Sequence, residues 1–172
     1  MSPGVSLEAE LIRALTERGL TLAVAESCTG GLVSHRLTNV PGSSACYRGG
    51  VIAYGNEVKA SVLAVPEGLL TNQGAVCEGV ALAMARGVRR LLGADIGLGV
   101  TGIAGPTGGT ADKPVGLTYV ALAGPGDVAR CERHIWQGER EHNKEQSATA
   151  ALEILRWYLL TSREAPTAAR GV

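Results

Sequence analysis

The sequence predicts an α/β fold, a three-layer α/β/α sandwich on a mixed, mostly parallel sheet. Three observations carry that expectation. Apolar runs of strand length alternate with longer amphipathic stretches through most of the chain. The first and third runs each lead into a glycine-rich turn, as strand-to-helix connections at a ligand site do. Near the end, Gly124-Pro125-Gly126-Asp127 joins two further runs as a hairpin-type turn, which adds antiparallel pairing to a parallel sheet.

The elements follow in order. Leu7, Leu11, Ile12 and Leu15 recur at helical spacing between charged residues, and Gly19 closes the helix. Residues 21–26 (TLAVAE) form a short apolar run and read as a buried strand. Residues 31–40 have Leu32, Val33, Arg36 and Leu37 at helical spacing and stop at Pro41-Gly42. A second strand is expected over 49–54 and a short helix over 56–65, broken by Pro66-Glu67-Gly68. A long Ala/Val/Leu-rich helix is expected over 75–92. Arg86, Arg89 and Arg90 near its C-terminal end suit the helix dipole, and Gly93 caps it. Strands are expected over 95–102, 115–123 and 128–136, the last with one polar face, and a final helix from about Glu139 to Leu160. The 172 residues have room for one ordinary domain, placed at 1–162, with 163–172 expected to be a polar, frayed tail.

Composition narrows the function classes. Sixteen Lys plus Arg balance sixteen Asp plus Glu, and this net charge of zero argues against a nucleic-acid or membrane-surface partner. No apolar run approaches the roughly 18 residues that span a bilayer, and the N-terminal stretch has no signal-peptide pattern, so a cytoplasmic protein is expected. Cys28, Cys46, Cys77 and Cys131 show no CxxC spacing, and no His, Cys or carboxylate cluster has ligand spacing. No metal site is expected. With aromatics at 3% and no Phe, the core falls to Ala, Val, Leu and Ile. The long apolar helix at 75–92 has surface to cover, which suggests a homodimer or larger homo-oligomer.

Ligands gather beyond the carboxyl ends of parallel strands, and three segments fall there. In Glu26-Ser27-Cys28-Thr29-Gly30-Gly31, the hydroxyls of Ser27 and Thr29 and the backbone N–H groups at a helix start face one point. The plain alternative is that Ser and Thr merely cap the helix. In Tyr54-Gly55-Asn56-Glu57-Val58-Lys59, Lys59 is one of only three lysines, against thirteen arginines. Unlike Arg, a Lys with a lowered pKa can act as a base, and Tyr54 could share its proton. Ser plus Lys plus Tyr activates a serine without His, whereas His35, His134 and His142 sit in no such turn. Thr101-Gly102-Ile103-Ala104-Gly105 opens a glycine loop suited to an anion or a flat ring. Arg140, in a first helical turn, opposes the dipole there and so suits an anionic ligand.

AESCTGG, GSSACYRGGVIAYGNEVK, the TGIAGPTGGTADKPVG loop and the GER segment together resemble the CinA C-terminal domain family over about residues 7–160. The resemblance implies hydrolysis of the carboxamide of nicotinamide mononucleotide (NMN) to nicotinate mononucleotide and ammonia, without metal or cofactor. It implies Ser27 as nucleophile and Tyr54 and Lys59 as its partners. It also implies substrate contacts from Thr29, Gly30, Gly31, Thr101, Gly102 and Arg140, and Asn56 and Gly105 in the same segments are expected to join them. The chain departs from the family's usual GDR with a following Val-Arg pair, having Glu139-Arg140 followed by Asn143-Lys144, and it has Gly55 where a Ser is common. The rival reading is a non-catalytic nucleotide-binding or competence- or DNA-damage-linked regulatory module. A degenerate module of that kind should have lost Ser27, Tyr54 or Lys59, and this sequence keeps all three.

Overall fold

Five strands form one sheet in the order β2-β1-β3-β4-β5, in a computed structural model that describes residues 4–162. The expected tail at 163–172 lies outside the described residues. β1 (Leu22–Glu26) is central and pairs in parallel with β2 (Tyr47–Ile52) and β3 (Ile96–Gly102). β4 (Leu117–Ala123) runs against β3, and β5 (Ala129–Ile135) runs against β4. Four strands therefore share one direction and β4 alone is reversed. All five residues of β1 are buried, as a strand covered on both faces requires, and its continuous apolar run reflects this.

α1 (Leu7–Arg18), α2 (Leu32–Thr38) and α6 (Arg140–Thr161) cover one face, around a core that includes Leu15, Val24, Leu98 and Leu155. α3 (Asn56–Leu63), α4 (Glu67–Gln73) and α5 (Glu78–Leu91) cover the other, around Ala25, Leu63, Val80 and Met84. These are the three expected layers. Gly97 and Gly99 let α5 lie directly on β3. A Cβ would stand 2.1 Å from the Ala85 carbonyl at Gly97 and 2.3 Å from the Ala81 carbonyl at Gly99. These two glycines serve helix-on-sheet approach, a role the turn-and-ligand reading did not anticipate. Among the described residues, no helix is long and apolar enough to cross a membrane.

Two expected bounds need correction. The helix expected over 75–92 is a single helix but starts three residues later and ends one earlier, at Glu78–Leu91. Gly74 has φ +74°, the chain stays irregular through Val76, and α5 starts at Glu78. The helix over 56–65 is broken before Pro66 as expected, and Pro66 then serves as the N-cap of a further short helix, α4, where its missing N–H costs nothing. The second strand covers 47–52 and stops two residues before Tyr54. The apolar side of α5 (Val80, Ala81, Met84, Ala85, Val88) is buried within this chain, so it presents no face that a second copy is needed to cover.

Candidate active site

The carboxyl ends of β1, β2 and β3 converge on a cavity of about 200 Å³. Ser27 follows β1 directly, and its backbone N–H donates to the Val100 carbonyl of β3 at 2.9 Å, which holds it in line with the sheet. Lys59 is in the second turn of α3, which starts just beyond the end of β2. Its side chain runs back beneath that strand end and is 1% exposed. Three oxygens surround Nζ: the Ala53 carbonyl at 2.8 Å, the Tyr54 carbonyl at 3.1 Å and Ser27 Oγ at 3.1 Å. A charged ammonium would spend one proton on each. A neutral amine would donate two to the carbonyls and aim its lone pair at the serine hydroxyl, the geometry of a base on a nucleophile.

The environment shifts Lys59 toward the neutral form. Burial lowers the Lys59 pKa below the usual 10.5, while the Glu57 carboxylate pulls the other way. Arg140 is not among the causes. Burial also pushes the Cys28 thiol up to about 12, so the cysteine beside Ser27 stays a protonated thiol at neutral pH and is no rival nucleophile.

Ser27, Tyr54, Asn56, Lys59, Thr101, Gly102 and Arg140 all line the cavity. Thr29, Gly30, Gly31 and Gly105 do not. Thr29 is 1% exposed and its hydroxyl has no hydrogen-bond partner among the described residues. The Gly105 carbonyl accepts from Arg140 Nη1 at 2.7 Å. Arg140 Nη2 donates to the Tyr54 hydroxyl at 3.1 Å. The two groups of Tyr54 thus have different tasks. Its carbonyl holds Lys59 and its exposed ring is tied to Arg140, so the expected proton sharing between the Tyr54 hydroxyl and Lys59 is not what the structure displays. Arg140 makes no ion pair with a carboxylate among the described residues. Two of its five donors are used, and its charge stands free at the cavity mouth.

Glu26 is the residue the sequence reading passed over. It is fully buried at the end of β1. Its carboxylate accepts from the backbone N–H groups of Gly31 (3.0 Å), Val33 (3.1 Å) and Ser34 (2.9 Å) and from the Ser34 hydroxyl (2.7 Å). The N-terminus of α2 is therefore already occupied by an internal anion, and neither Ser27 nor Thr29 caps it. The backbone N–H groups expected to face one ligand point are therefore not all available: Gly30 donates to the Ser27 carbonyl and Gly31 to Glu26, which leaves those of Cys28 and Thr29. A Glu in front of a Ser/Thr/Gly turn was the available signal. Glu26→Gln places an amide NH2 among backbone donors and should cost about 2–3 kcal/mol of stability, read as a lower urea midpoint at unchanged slope. Ala75 and Val76 also line the cavity, from the break between α4 and α5 that the sequence reading took as helix.

The CinA C-terminal domain model matches residues 5–159. The chain belongs to the CinA C-terminal domain family. It is 47% identical over 162 residues to a CinA-like protein of Geotalea uraniireducens, covering 94% of this chain and 38% of that protein. It is 52% identical over 150 residues to one of Anaeromyxobacter sp., covering 87% and 36%. The chain thus spans little more than a third of these curated relatives. Among solved structures, the competence/damage inducible protein CihA from Agrobacterium tumefaciens matches with a TM-score of 0.84 at 36% identity, covering 94% of this chain and all of that one. A CinA superfamily protein from Klebsiella pneumoniae matches at 0.87 and 33%, covering 91% and 97%.

The departures from the usual CinA pattern acquire physical content. Asn143 is 1% exposed, and its Nδ2 donates to the Ala104 and Gly138 carbonyls at 3.0 Å each, tying the glycine loop to α6. Lys144 Nζ stands 3.9 Å from where a Cβ on Gly30 would be, so its charge faces the Ser27 loop. At Gly55, a Cβ would lie 2.0 Å from Glu57 Oε1. The space that a Ser would take is filled by the carboxylate that acts on Lys59.

Proposed function

We propose that this CinA domain is a serine–lysine amidase that hydrolyses the carboxamide of NMN to nicotinate mononucleotide and ammonia. The observation that carries the reading is Lys59 Nζ, buried and 3.1 Å from Ser27 Oγ, with two backbone carbonyls to satisfy its remaining protons. A binding module gains nothing from burying a lysine against a serine. A hydrolase gains a base that needs no histidine.

In this reading Ser27 Oγ attacks the carboxamide carbon and its proton passes to Lys59 Nζ. The oxygen of the tetrahedral intermediate takes its charge stabilisation from the Cys28 and Thr29 N–H groups. The C–N bond breaks as Lys59 returns the proton to the departing nitrogen, giving ammonia and an ester on Ser27. Water, deprotonated by Lys59, then attacks the ester. The carboxylate product leaves and the proton returns to Ser27 Oγ. Microscopic reversibility gives the same amine both tasks.

Size supports a ring-sized reacting group. About 200 Å³ is below the roughly 300–1,000 Å³ of sites that enclose a whole drug-sized ligand. The pyridine carboxamide fits inside, and the ribose phosphate lies outside, where Arg140 and Lys144 supply positive charge. Incubating the purified protein with NMN and measuring ammonia tests the reading. Stoichiometric ammonia and nicotinate mononucleotide are expected; no ammonia from NMN would remove it.

A further inference from the structure

A second cavity, of about 600 Å³, opens at the other end of the sheet. It lies between the C-terminal end of α5, which contributes Arg86, Arg89 and Arg90, and the β4–β5 hairpin, which contributes Gly124, Asp127 and Val128. β3 starts near this cavity and ends at the Ser27 site, and its seven residues set the two about 20 Å apart.

Helix capping does not account for these arginines. The last carbonyls of α5 are already met by backbone donors: Val88 by Leu92, Arg89 by Ala94 and Arg90 by Gly93. Arg89 Nε donates to the Asp95 carbonyl at 2.8 Å, which fixes its guanidinium at the cavity edge. Arg86 and Arg90 have no hydrogen bond or ion pair to any described residue. Asp127 is the one acid among the described lining residues, so the wall keeps an excess of positive charge. The volume falls within the range of small-molecule sites and exceeds what a single phosphate needs. Guanidinium forks match phosphate oxygens two at a time, so several together favour a multiply charged phosphate over a lone carboxylate.

We propose that this cavity binds a polyphosphate group, free or carried on a nucleotide. Ala94, Ala123 and Val128 form an apolar wall beside the arginines that an attached base can use. Binding here needs no chemistry at Ser27, so the proposal stands or falls apart from the amidase reading.

The test is calorimetric titration of the full chain with sodium pyrophosphate, and in parallel with ADP, at low ionic strength. Saturable one-to-one binding is expected, weakening as salt is added. Arg86→Ser together with Arg90→Ser should weaken it at least tenfold. Both side chains are exposed, and unchanged circular dichroism would confirm the fold. Arg140→Ser, at the other end of the sheet, should leave it unchanged. Tighter binding of ADP than of pyrophosphate assigns the site to a nucleotide, and equal binding assigns it to the free group. No binding of either probe, full binding in the double variant, or loss confined to Arg140→Ser would overturn the proposal.

Discussion

Lys59→Arg should lose turnover on NMN by about 10²–10⁴-fold, the contribution of a general base. Arginine keeps the charge but cannot release its proton, so a Lys59 needed only for charge would tolerate it. Because arginine is bulkier and Lys59 is 1% exposed, Lys59→Met is the companion variant, filling similar space without charge. It should be as inactive as Lys59→Arg while remaining folded. Wild-type turnover should also rise with pH through the lowered pKa of Lys59, with its acid limb below the usual 10.5. The stability consequence has a definite sign. A lysine whose folded pKa lies below its unfolded value penalises the native state fully at pH below the folded pKa, and the penalty fades as pH climbs to the unfolded value. The stability of Lys59→Met relative to wild type should therefore increase as pH falls and shrink toward pH 10.5. Substantial turnover in Lys59→Arg, or a stability difference that does not vary with pH, would remove the neutral-lysine mechanism.

Ser27→Ala should reduce ammonia release by about 10⁴-fold or more, since nucleophile and base act as one unit. The substitution removes one oxygen from a residue that is 8% exposed and whose backbone is held by Val100, so the fold should be retained. The loss should fall on kcat with little change in substrate affinity, because the pyridine ring and the phosphate keep their contacts. Combining it with Lys59→Met should add little further loss, as expected of residues in one reaction step. Retention of more than a few per cent of turnover in Ser27→Ala would favour water activated directly by Lys59 over a covalent ester.

The sheet was legible because burial on both faces leaves a plain mark. β1 and β3 are uninterrupted apolar runs, and α1 and α6 repeat at helical spacing with few competing signals. Following strands to their carboxyl ends led to Ser27, Lys59 and Thr101 without distances. What stayed hidden depends on contacts distant in sequence. Ala75 and Val76 have helix-like composition, and only Gly74 in its positive-φ conformation marks the break that turns them into a cavity wall. Glu26 looks like the polar end of a strand until the first turn of α2 is placed over it. Tyr54 looks like a catalytic hydroxyl by its spacing from Lys59, but Arg140, 86 positions later, takes that hydroxyl and leaves the carbonyl to Lys59. Gly97 and Gly99 lie inside an expected strand with nothing in the sequence to mark their task, yet they are shaped by the backbone of α5.

The covalent ester of nicotinate mononucleotide on Ser27 is the centre of this account, and hydroxylamine trapping tests it most directly. Hydroxylamine attacks an acyl ester in competition with water, freeing Ser27 and giving the hydroxamate of the nucleotide. With NMN and hydroxylamine together, the wild type should form that hydroxamate alongside nicotinate mononucleotide, in a ratio that rises with hydroxylamine concentration, and Ser27→Ala should form none. Continued ammonia release that yields only nicotinate mononucleotide at every hydroxylamine concentration would contradict the account.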